Sequence, residues 1–105
     1  MEIKNEVKSW LKKNISGLNW GDDIKIFLFG SVCRKGYSHN DCDLLILYRS
    51  ILEKKVITKS EYLRTEFKKH FGIPLNILRL SKTEIEEMQN CVAKIFQDGA
   101  ELITI

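Results

Sequence analysis

Apolar positions along this chain follow two periods, that of a helix with one buried face and that of a strand buried on both sides. Ile3, Val7, Trp10, Leu11 and Ile15 recur at helical spacing, Lys4, Lys8 and Lys12 take the opposite face, and Gly17 follows as a stop. The pattern predicts a helix over roughly residues 2–15. Asp22 and Asp23 lead into Ile24-Lys-Ile-Phe-Leu-Phe29, a run with the length and composition of a buried strand, which Gly30 ends. After a turn-rich stretch from Ser31 to Asn40, the run Asp43-Leu-Leu-Ile-Leu-Tyr48 predicts a second central strand.

Thr58-Lys-Ser-Glu61 reads as a capping box that opens a helix carrying Tyr62, Leu63, Phe67 and Phe71, which Gly72 and Pro74 break. Leu75 to Leu80 predicts a third strand. Ser81-Lys-Thr-Glu84 is a cleaner capping box, opening one helix with Ile85, Met88, Val92 and Ile95 turned inward. Gly99 ends that helix, and Glu101 to Ile105 predicts a short last strand. The order α-β-loop-β-α-β-α-β implies an α/β (α+β) domain, with a small mixed sheet of three or four strands flanked by helices.

A length of 105 residues, without repeats or a Pro/Gly/Ser linker, predicts one domain over residues 1–105 with a single site. The chain is 44% hydrophobic and 30% charged, which excludes a disordered or fibrous class. Trp10, Trp20 and the phenylalanines are most simply core residues. The longest apolar runs, Ile26–Phe29 and Leu44–Leu47, are too short to cross a bilayer, and the N-terminus lacks a signal-peptide apolar region; a cytoplasmic location is expected. Cys33, Cys42 and Cys91 form no CxxC and have no His at ligand spacing, so reduced, mostly buried thiols are expected rather than disulfides or zinc. A net charge of +3 could assist binding of an anionic ligand but falls short of a dedicated nucleic-acid patch.

Two short motifs carry candidate chemistry. Gly30 and Ser31 sit where a buried strand ends, so a turn there could present N–H groups and a hydroxyl to a phosphate; taken alone, Gly-Ser after a strand is usually only a turn. Asp41-Cys42-Asp43 places two carboxylates on one face at the entry to the next strand, where they are either solvated or neutralised by a hard divalent cation such as Mg2+ or Mn2+.

Taken together, strand, Gly-Ser, a loop, Asp-x-Asp and the all-apolar run Leu44-Leu-Ile-Leu47 form a more specific signal. The stretch FLFGSVCRKGYSHNDCDLLILY resembles the signature of the DNA polymerase beta-like nucleotidyltransferases, and the small chain is similar to their minimal nucleotidyltransferase (MNT) group. The resemblance implies the nucleotidyltransferase fold. It also implies that Gly30 and Ser31 grip a nucleoside triphosphate, ATP foremost, with help from Arg34, while Asp41 and Asp43 hold magnesium. Lys35 and His39 lie in the same loop as minor candidates. In the family an acceptor hydroxyl attacks the α-phosphate and pyrophosphate leaves. A third carboxylate on the third strand normally assists, and its counterpart here is Asn76, an amide that can ligate through oxygen but cannot serve as a base.

Three functions therefore stand open. The first is a transferase acting on a hydroxyl, for which the resemblance implies a partner toxin as acceptor and an antitoxin role. The second is a binding protein of the same fold, an antitoxin or immunity protein, that neutralises its partner by contact. The third, a nucleic-acid binder, lacks a basic-aromatic stripe and ranks last.

Overall fold

A computed structural model describes residues 3–17, 24–30 and 41–103, with side chains from residue 5 onward in the first stretch. The elements in chain order are α1 (Ile3–Ser16), β1 (Lys25–Phe29), β2 (Cys42–Tyr48), a 3-10 turn (Ser50–Leu52), α2 (Glu53–Phe71), β3 (Leu75–Ser81), α3 (Lys82–Glu87), α4 (Gln89–Gln97) and β4 (Glu101–Ile103). They build a mixed α+β architecture around one four-stranded sheet in the order β3-β2-β1-β4. β1 runs antiparallel to β2 and to β4, whereas β2 and β3 are parallel and joined through α2.

Strand alternation divides the apolar residues between two cores. Ile26, Leu28, Cys42, Leu44, Ile46, Tyr48, Leu75 and Ile103 face one way and pack against Val7, Leu11 and Ile15 of α1 and Val56, Leu63 and Phe67 of α2. Leu45 and Leu80 face the other way and meet Val92 of α4, with Phe27, Phe29, Leu47, Leu78, Ile85 and Ile95 alongside. β1 and β2 are apolar on both sides because both sides are covered. Behind β3, Arg79 Nη1 donates to the buried Ser60 Oγ at 2.9 Å, and Ser60 Oγ donates to the Ile57 carbonyl at 3.0 Å, which ties the edge strand to α2.

Several expectations need correction. α2 begins at Glu53 rather than at a cap near Thr58, so Thr58–Glu61 lies inside the helix. The chain leaves β2 through the 3-10 turn straight into the helix, because Val56 already belongs to the core; burial outweighs the local capping preference. The C-terminus does follow glycine chemistry, with Gly72 at φ 75° donating to the Lys68 carbonyl at 2.8 Å. The expected third helix is two helices, broken at Met88, whose N–H is shared between the Glu84 and Ile85 carbonyls. Met88 is exposed rather than inward, since the break turns it out of the apolar stripe. Phe96 is 42% exposed, resting edge-on against Phe27 at 4.8 Å instead of entering a core. Cys42 is buried and Cys91 exposed, because β2 is central to the sheet while α4 shows that face to solvent. Trp10 packs against the first core, edge-on to Phe67 at 5.5 Å; Trp20, Cys33, the Asp22-Asp23 pair and Ile105 lie outside the described residues.

The capping box at Ser81 is present as expected: Ser81 Oγ accepts from the Glu84 N–H at 3.3 Å, and the Ser81 N–H donates to Glu84 Oε1 at 3.1 Å. Ser81→Ala is expected to destabilise the fold by about 1 kcal/mol, seen as a lower urea midpoint at unchanged slope; an unchanged midpoint contradicts it.

Candidate functional site

Three strands deliver the site. β1 ends in Gly30, whose φ of 84° lies where L side chains rarely go. Antiparallel pairing sets Phe29 opposite Asp43, so Gly30 lies beside the start of β2. A Cβ at position 30 would collide with the Asp43 carboxylate, Oδ2 being its first neighbour. Glycine is thus required twice, for the backbone turn and for the close approach of the acid.

Parallel pairing sets Asp43 opposite Asn76 on β3. Asp41, Asp43 and Asn76 fall on the same side of the sheet as Leu45 and Leu80, whose far end α3 and α4 cover. Asn76 Nδ2 donates to Asp41 Oδ2 at 2.9 Å and to Asp43 Oδ1 at 3.3 Å. One amide nitrogen reaching both acids shows that the two carboxylates converge, Asp43 against the Gly30 turn, with neither facing the opposite side of the sheet.

The electrostatics of that convergence are unfavourable to two negative charges. The Asp43 pKa is raised, first by burial and also by the charge of Asp41, while the Asn76 hydrogen bond pulls it the other way. A divalent cation would offset the desolvation and the repulsion together. The donor set fits a hard ion: two carboxylates and an amide whose oxygen replaces its NH2 when the group turns over. Among the described residues no cluster of three His, Cys, Asp or Glu is found, in keeping with an amide rather than an acid at position 76.

Of the residues singled out in the sequence, the fold brings Gly30, Asp41, Asp43 and Asn76 together. Ser31 and Arg34, with Lys35 and His39, lie outside the described residues. A neighbouring feature has no counterpart in the sequence analysis: a cleft of about 500 Å3 beside Asn76, walled on one side by Arg64, Lys68 and Lys69 of α2. Its sequence signal is the spacing of Arg64 and Lys68, four apart on one helix face just before Gly72.

No protein-family model, curated protein or solved structure matches the chain.

Proposed function

We propose that the chain is a minimal nucleotidyltransferase of the DNA polymerase beta-like superfamily, moving a nucleoside monophosphate from a magnesium-bound triphosphate, ATP foremost, to a hydroxyl on a partner protein of the toxin type. The observation that carries this reading is the meeting of Asp41 and Asp43 on one amide, with Asp43 against the Gly30 turn.

In this reading Gly30, with Ser31 and Arg34, receives the triphosphate, its lack of a side chain allowing backbone N–H groups to approach the phosphates. Asp41 and Asp43 hold magnesium or manganese, which when bound neutralises phosphate charge and polarises the reacting phosphorus. The acceptor oxygen forms its bond to the α-phosphorus as the bond to pyrophosphate breaks. Asn76 orients the carboxylates but cannot take the acceptor proton, which leaves to water or to the substrate. Transfer is therefore expected to be slow.

A second reading rests on the same amide. By bridging Asp41 and Asp43 it stabilises the pair without a cation, which suits a binding protein that neutralises its partner by contact. Titration calorimetry separates the two. The transferase reading expects heat for at least one of ATP, CTP, GTP or UTP with Mg2+ or Mn2+, and a loss of at least about 10-fold in affinity in Asp43→Ala, since even the outer partners of a metal site commonly matter that much. Absence of heat for all four nucleotides with either metal sinks it.

A further inference from the structure

The cleft beside Asn76 opens where β3, the outer strand of the sheet among the described residues, meets the C-terminal half of α2. Pro74 forms its apolar side, above the buried Leu75, and Arg64, Lys68 and Lys69 its cationic side. Glu61 pairs with Arg64 at 2.6 Å and Glu66 with Lys69 at 3.5 Å, yet neither acid lines the cleft, and the Lys68 ammonium has no ion pair among the described residues. The wall is therefore positive. It is also braced, because Arg79 ties β3 to Ser60 and Glu61 of α2.

Position gives this charge a meaning. In the order β3-β2-β1, the Gly30 turn lies on the β1 side of Asp43 and the cleft on the β3 side, next to Asn76; because α2 covers the face of the sheet opposite the carboxylates, a segment in the cleft approaches them over the edge of β3. Displacement at phosphorus needs the attacking and leaving oxygens roughly in line, hence on opposite sides of the reacting centre. If the triphosphate leaves along the Gly30 side, the acceptor enters along the other.

We infer that the cleft is the acceptor groove, and that it binds an acidic, extended segment of the partner protein whose hydroxyl-bearing side chain reaches past Asn76 to Asp43. This rests on the transferase reading above. A peptide fits better than a nucleic acid: among the described residues no aromatic ring lines the cleft to stack a base, whereas the exposed Pro74 offers an apolar surface to side chains between the acids.

The test is fluorescence anisotropy with the full chain, in chelator and without nucleotide. The probes are a short labelled peptide with one tyrosine flanked by Glu and Asp, its counterpart with Lys in place of the acids, and a single-stranded uridine oligomer. The acidic peptide is expected to bind best, and its binding to weaken as salt rises. Joint reversal of Lys68→Glu and Lys69→Glu is expected to weaken it by at least about 10-fold, while reversal of Lys12→Glu and Lys13→Glu on α1 leaves it unchanged. Both pairs are exposed, and circular dichroism verifies that the variants fold. Equal loss with either reversal, no preference for the acidic peptide, or tighter binding of the oligomer overturns the inference. Because nucleotide and metal are absent, a failure here is distinct from a failure in calorimetry: peptide bound without nucleotide heat removes the transferase, and nucleotide heat without peptide removes the acceptor groove.

Discussion

Asn76→Asp is expected to raise nucleotidyl transfer by at least roughly 10-fold, a cautious fraction of the 10² to 10⁴ that a general base typically supplies. The substitution restores a third anionic ligand at a position already within hydrogen-bond reach of Asp41 and Asp43. It also removes the amide donor that steadies those two acids, leaving three carboxylates face to face. In chelator the variant should therefore lose stability, on the order of 1 kcal/mol given the exposure of the site, and Mg2+ should recover it. Radiolabelled nucleotide incubated with the product of the neighbouring gene gives the rate, and thermal melts with and without Mg2+ give the linkage. A brisk wild type with no faster aspartate variant would remove Asn76 from the third-ligand role. Melts insensitive to Mg2+ would deny the metal.

Gly30→Ala is expected to be the most damaging Gly→Ala change among the described glycines. The positive φ alone costs about 1 to 3 kcal/mol for a residue with a side chain. The new Cβ must in addition displace the Asp43 carboxylate, which has Asp41 and Asn76 on its other side. For a domain of this size the backbone term alone corresponds to a fall in Tm of roughly 4 to 8 °C per kcal/mol. Nucleotide affinity should fall at least about as far as in Asp43→Ala, because the same carboxylate is lost to the site. A melt within a degree of wild type, with calorimetry unchanged, contradicts the close approach.

Element identity was largely legible along the chain. Buried strands declare themselves by short apolar runs, and helix faces by spacing, because side chains a few residues apart must share one surface whatever the rest of the chain does. The same reasoning places Asp41 and Asp43 on one face of a strand before any fold is known. Ser81 and Glu84 were readable as a cap because both partners lie within one helical turn. Resemblance of the motif suggested Asn76 as the third-strand position, but periodicity could say only which neighbours share its face.

What needed the fold is everything that joins distant segments. Asn76 meets Asp41 across 35 residues of sequence only because β2 and β3 are parallel neighbours in one register, joined by the crossover through α2, which packs on one face of the sheet. A slip of one residue would turn Asn76 away from both acids. The sequence offers Gly30 as a strand end and, by resemblance, a phosphate-gripping turn, but only antiparallel pairing brings Asp43 against it. The start of α2 was misread for the same reason: Val56 gains more from the core than the capping preference of Thr58 could offset. The break at Met88 and the cationic wall beside β3 likewise depend on which surfaces the sheet leaves to solvent. Local chemistry can name the elements and the acids, but long-range packing decides which of them stand within reach of one another, because that energy exists only once the strands have paired.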